Sequence, residues 1–230
     1  MAREALDRKV KLLKDELLVQ GSMVEQMTLQ AVRALVERDL EAARRIYTYD
    51  RRVNLKHMEI EKQCLSLMAT EPPILATDLR MLASILEVNS ALERLGDYAK
   101  GIARICLLMK LEVPMKNPLP LSNLADMVMD MLHQALGSFV TRDLQLAESI
   151  PCRNQTQVKQ SAENINQQLL SLMLADPSTI QRANKLLWVN HNFERMAELI
   201  VSICERTVYI DTGDLKPLKP TADLSNGLAV

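Results

Sequence analysis

Aromatic residues are scarce in this chain, at 3% of 230 residues, which excludes a core of stacked rings. The interior has to be aliphatic, filled out by 13 methionines. There are only six glycines and few β-branched runs, so little material exists for strands and tight hairpins, whereas strong helix formers abound. An excess of one charge is also lacking. A net charge of −1 supplies no basic field for nucleic acid, which needs clustered cations against its phosphates. No stretch approaches the ~20 apolar residues that span a bilayer. Residues Met1 to Lys14 are charged where a secretory signal would be apolar, so the protein is expected to be soluble and cytoplasmic. Cys64, Cys106, Cys152 and Cys204 are far apart, without CxxC or zinc-ribbon spacing, and read as reduced core residues. GxGxxG and GxxxxGK[ST] are both absent, and no nucleophile–base arrangement assembles, which argues against an enzyme of the familiar nucleotide-using or hydrolytic kinds.

What is present is helical periodicity. Leu6, Val10, Leu13, Leu17, Val24, Met27, Ala31 and Ala34 follow three- and four-residue steps, with Gln20 filling one slot, and predict a first helix packed along a seam. Ala43, Ile46, Asp50, Val53, His57, Ile60, Cys64 and Leu67 predict a second. A third begins after Pro72-Pro73, the prolines marking its first turn, and runs to about Met109. Pro114, Pro118 and Pro120 mark a linker. Three further helices are expected, at about Leu121–Thr141, Asp143–Leu174 and Pro177–Tyr209, with Pro151 kinking the fifth or delaying its start.

The two halves repeat each other. Val36-x-Arg38-Asp39-Leu40-x-x-Ala43 recurs as Val140-x-Arg142-Asp143-Leu144-x-x-Ala147, and Asn89-x3-Glu93-Arg94-x2-Asp97 recurs as Asn190-x3-Glu194-Arg195-x2-Glu198. Two strings in the same order at nearly the same offset predict an all-α tandem of two three-helix bundles packed side by side. The first unit is expected over residues 1–110, a linker over 111–120 and the second unit over 121–210. A tail over 211–230 is rich in Pro, Gly, Asp and Lys and is expected to be disordered.

Asn89, Glu93 and Asp97 lie four residues apart and stack along one face of the third helix. Asp50 and His57 stand in the second helix where the pattern asks for apolar residues. If those seams face each other, carboxylates converge from two helices and form hard oxygen ligands suited to iron, manganese, magnesium or zinc. The alternative is purely structural, with Glu93 paired to Arg94 of another helix or to Lys100 and Asp97 capping an interhelical hydrogen bond. Asn154 matches Asp50, Val158 matches Asn54, and Glu194 and Glu198 match Glu93 and Asp97, so a second site would carry less charge. His57, His133 and His191 lack the full set of partners that a di-iron bundle needs and read as structural or surface histidines.

The string Asp78-Leu79-Arg80, followed by Leu92-Glu93-Arg94-Leu95-Gly96-Asp97-Tyr98-Ala99, resembles the signature of the PhoU family, as does the tandem of three-helix units over about residues 5–209. Asp50-x3-Asn54 is similar to a further family element. The resemblance implies a homodimeric or larger cytoplasmic regulator that relays the state of a phosphate ABC transporter, through its ATPase, to a sensor histidine kinase, touching membranes only through such partners. It also implies iron or zinc held by motifs that Glu93 and Asp97 match and that Glu194 and Glu198 match approximately. The rival expectation is a metal-dependent enzyme using Asp50, Glu93 and Asp97.

Overall fold

The computed structural model describes residues 2–70, 75–109 and 119–218. These form α1 (Ala2–Glu37), α2 (Leu40–Thr70), α3 (Ala76–Leu108), α4 (Leu121–Thr141), α5 (Leu144–Ile150), α6 (Thr156–Ala175) and α7 (Ile180–Thr212), with no strand among them. A π-helical turn, Pro151–Gln155, joins α5 to α6 as one interrupted helix, and a 3₁₀ turn, Pro177–Thr179, leads into α7. Helices α1 to α3 make one bundle and α4 to α7 the other, as the repeat predicts. Pairs α3–α7 and α1–α4 pack the two bundles together.

The seams expected from periodicity are the ones that are buried. Leu6, Leu13, Leu17, Val24, Met27, Ala31 and Ala34 of α1 face Ala43, Ile46, Val53, Ile60, Cys64 and Leu67 of α2, and both pack on α3. Each fully buried aliphatic side chain contributes about 1.5–3 kcal/mol, which outweighs the weak intrinsic stability of helices in water.

The repeated Val-x-Arg-Asp-Leu string is the turn between the first and second helices of each bundle. Arg38 and Arg142 take left-handed backbone, φ 60° and 58°, and end α1 and α4. The aspartate that follows starts the next helix: Asp39 Oδ1 accepts from the Ala42 N–H at 2.9 Å, and Asp143 Oδ1 from the Leu146 N–H at 3.0 Å. Left-handed backbone costs an arginine about 1–2 kcal/mol, and these caps offset it. The Arg38 guanidinium then donates to the Met109 carbonyl at 2.8 Å, tying off α3, while Arg142 approaches Asp211 near the end of α7 at 3.9 Å.

The bundles pack with opposed helix directions. Lys14 Nζ, near the start of α1, donates to the Val140 carbonyl near the end of α4 at 3.1 Å, and Arg80 Nε, in the first turns of α3, donates to the Ile210 carbonyl at 3.0 Å. Two glycines inside helices let this contact close. A Cβ on Gly21 of α1 would collide with Leu136 of α4, and one on Gly101 of α3 would lie 2.5 Å from the Trp188 ring of α7.

Several expectations change. The fifth helix is not one uniform element: Pro151 can offer no N–H to the ladder, and the chain absorbs the loss by inserting one residue as a π turn. Before this turn the second bundle's buried positions follow the first at an offset of 104, as Ala147 follows Ala43. After it they follow at 105, as Val158, Ile165 and Leu169 follow Val53, Ile60 and Cys64. Val158 therefore replaces Val53, and Lys159 stands where Asn54 does. Cys64, Cys106 and Cys204 are buried, but Cys152, on the π turn, is exposed. Residues 211–218 are not loose tail: α7 continues to Thr212, and the chain then turns back until Leu218 packs against the core. The prolines at 72, 73, 114 and 118, and residues 219–230, lie outside the described residues.

Candidate polar seam in the first bundle

A line of polar groups runs through the first bundle where α1, α2 and α3 meet. Gln20 and Asn89 are wholly buried, and Asp50 is 3% exposed. Asn89 fastens α3 to α2: its Nδ2 donates to the His57 carbonyl at 2.9 Å, and His57 Nδ1 lies 3.4 Å from the Asn89 carbonyl. Gln20 Nε2 reaches that same carbonyl at 3.4 Å. Asp50 is held by Lys100, one helix across, whose Nζ donates to Oδ2 at 2.7 Å, and by Asn54 Nδ2 at 3.3 Å. The carboxylate in turn holds the Lys100 ammonium above the ordinary lysine range. Lys100 is thus the partner of Asp50, whereas the structural reading of the sequence paired it with Glu93.

Four buried oxygens along this line have no hydrogen-bond donor among the described residues: Gln20 Oε1, Asp50 Oδ1, Asn54 Oδ1 and Asn89 Oδ1. All four are acceptors, so the seam offers lone pairs that no donor of the described residues answers. Glu93 sits half-buried beside it, and its carboxyl is pushed above the usual carboxylate range. Burial is the main cause, Asp97 and Asp50 add to it, and His57 and Arg94 oppose them. Asp97 is exposed and makes no ion pair among the described residues. Carboxylate and amide oxygens of this kind are the donors that hard cations take. The side chains do not close a shell, however: among the described residues no three His, Cys, Asp or Glu converge on one point.

The second bundle keeps the framework of this seam and discards its charge. Asn190, the counterpart of Asn89, again ties the third helix to the second, donating to the Ala162 carbonyl and to Asn166 Oδ1, both at 2.8 Å. Ala162 stands where His57 does, and Leu124 where Gln20 does. The extra residue of the π turn puts buried Asn154 and Gln155 together in the place of Asp50, and Val201 replaces Lys100. Glu194 lies 3.6 Å from His191, and Glu198 is paired with Arg195 at 2.6 Å. Exposed His133 does not bond Asp130, which accepts from Gln134 at 2.6 Å. The roles of Gln20 and Lys100 are not visible from residue spacing, since both depend on contacts between helices far apart in sequence.

Two three-helix units packed together in this way, with a polar seam inside the first, define a class of tandem helical bundles. This chain belongs to the PhoU family: the PhoU domain profile matches residues 17–106 and again 121–207, once per bundle. It is 30% identical over 213 residues to the phosphate-specific transport system accessory protein PhoU homolog of Clostridium acetobutylicum, covering 93% of this chain and 97% of that one. It is likewise 30% identical over 201 residues to the phosphate-specific transport system accessory protein PhoU of Escherichia coli, covering 87% of this chain and 83% of that one. The crystal structure of the phosphate transport system regulatory protein PhoU from Streptococcus pneumoniae superposes with a TM-score of 0.83 at 29% identity, over 92% of this chain and 99% of that one.

Proposed function

We propose that this protein regulates phosphate uptake and the phosphate-starvation response by protein contacts, engaging a phosphate ABC transporter ATPase on one side and a sensor histidine kinase on the other. The observation that carries the reading is the family match in both bundles, on a chain that spans nearly the full length of relatives named as phosphate transport accessory proteins. It acts by binding and not by catalysis, in the cytoplasm, as a homodimer or larger assembly, and it alters transcription only through the kinase. No helix among the described residues is long and apolar enough to cross a membrane, so contact with the transporter is made from its surface.

Within this reading Glu93 and Asp97, with Asp50 behind them, hold a cation such as iron or zinc, and Glu194 and Glu198 offer a weaker second position. The ion's contribution is charge: it answers the acceptor oxygens of the first seam and fixes α2 against α3. Deleting the gene is expected to leave a starvation-responsive reporter switched on in phosphate-rich medium. Normal repression in the deletion strain would refute the regulatory reading.

A further inference from the structure

A second seam runs along the outer side of α2. Arg51, Leu55, Met58, Lys62 and Leu65 follow four- and three-residue steps, and all are exposed, the three apolar ones by more than half. They lie roughly opposite Val53, Ile60, Cys64 and Leu67, the buried side through which α2 packs on α1 and α3. The second bundle builds the same helix with other residues in these places. Beyond the π turn the offset is 105, so the five matching positions of α6 are Thr156, Gln160, Glu163, Gln167 and Leu170. These are exposed too, and there Gln167 Nε2 donates to Glu163 Oε1 at 3.3 Å. One stripe is apolar with two positive charges, and its copy is polar with one negative charge. Clustered apolar side chains left in water in this way mark an interaction surface.

Beside the stripe, α1 and α2 border a groove of about 470 Å³. Buried Leu13 and Leu67 lie beneath it, exposed Leu12 lines it from α1, and Lys62 belongs to both groove and stripe. The charges on this face are unequal. Arg51 and Lys62 make no ion pair among the described residues, Arg52 lies 5.3 Å from the Tyr49 ring centre, and Lys9 lines the groove. Of the carboxylates, Glu16 and Glu59 both pair with Lys56, and Glu61 flanks the stripe on the side of Asn54. Positive groups therefore outnumber negative ones.

We propose that this face of the first bundle docks an amphipathic helix of a partner protein, seated along the α1–α2 groove with carboxylates flanking its own apolar stripe. Apolar anchors at helical spacing beside a groove are what helix-in-groove recognition uses: Leu12, Leu55, Met58 and Leu65 take apolar side chains. Arg51 and Lys62 take carboxylates, and their places on α2 set those carboxylates about 16 Å apart along the incoming helix. A second copy of the same stripe would bring only more cations to it. An anionic bilayer would press on Glu16, Glu59 and Glu61 and leave the groove unfilled. The inference deepens the reading that the protein acts by contacts and rests on it only for the existence of a partner.

The full-length protein is titrated with the peptide ELAQLLQALAQEL, labelled with fluorescein, and with its basic counterpart KLAQLLQALAQKL, and binding is read as fluorescence anisotropy. The acidic peptide is expected to bind saturably, and the basic one at least about tenfold more weakly. The triple variant Leu55→Gln/Met58→Glu/Lys62→Gln copies exposed residues of α6, so helicity by circular dichroism should be unchanged, and it should bind the acidic peptide about tenfold more weakly. The proposal is overturned by no saturable binding, by equal binding of both peptides, or by a triple variant that binds like the wild type. It is also overturned if the triple variant has a different mass in solution from the wild type, which would assign the stripe to a second copy of this chain. Capture of the protein by phosphatidylglycerol vesicles, lost in the triple variant, with no binding of either peptide, would assign it to a membrane and overturn it as well. No reporter enters the titration, so it can fail while the reporter result stands.

Discussion

The two bundles differ more in what their seams hold than in how they fold. Each has an asparagine tying its third helix to its second, the same Arg-Asp turn, and the same stack of apolar layers. In the first, Asp50 is buried against Lys100 and lies close enough to raise Glu93. In the second, Asn154, Gln155 and Val201 fill those places with neutral groups, and Glu198 is neutralised by Arg195 within its own helix. A buried ion pair is seldom the most stabilising way to fill such a space, since both charges lose their water. The second bundle reaches the same architecture with neutral groups in those places.

Removing one partner of the Asp50–Lys100 pair gives the largest effect. Lys100→Met strands the Asp50 carboxylate in the interior, and because Lys100 itself is partly exposed the cost falls at the low end for a broken buried pair, about 3 kcal/mol. Urea denaturation measures it. The double variant Asp50→Asn/Lys100→Val copies the second bundle and should recover most of that loss. A double variant as unstable as the single one would mean that the two bundles are not equivalent at this position.

A smaller effect separates Glu93 from Glu194. Burial and the neighbouring carboxylates hold Glu93 above its ordinary 4.5, so the folded protein keeps a proton that the unfolded chain releases. Stability therefore declines as pH rises from about 4.5 through the folded-state value. Glu93→Gln carries no charge at any pH. With both proteins stripped of metal by chelator, it should melt at a higher temperature than the wild type at pH 7, with the advantage gone below pH 4.5. Glu194→Gln should gain less, because no carboxylate stands where Asp50 does. Equal gains in thermal melts across this pH range would show that Asp50 and Asp97 do not act on Glu93.

The seams of α1 and α2 were legible in the sequence almost residue by residue, because burial along a straight helix follows its period. The tandem was legible because the Arg-Asp turn needs the same cap chemistry twice. The π turn was not: a repeat read at one fixed offset cannot show a single inserted residue, and Pro151 announced a disturbance without saying whether the helix would bend or take up an extra residue. The contact of Lys100 with Asp50 was not legible, the sequence having offered Lys100 only to Glu93, since two groups fifty positions apart are joined by packing and not by periodicity. Gly101 did carry a signal that went unused. Glycine inside a helix is costly unless something presses against it, and here that is Trp188.

The central claim is that the halves are copies of one bundle and that only the first has a buried carboxylate, Asp50, behind the glutamate and aspartate of its third helix. Metal content per chain, measured by mass spectrometry after identical chelator-free purification, tests it most directly. Changing Glu93 and Asp97 to Gln and Asn should remove most of the bound metal while leaving helicity intact, and changing Glu194 and Glu198 to Gln should remove markedly less. Equal loss from the two variants, or a wild-type protein that carries no metal at all, would contradict the claim.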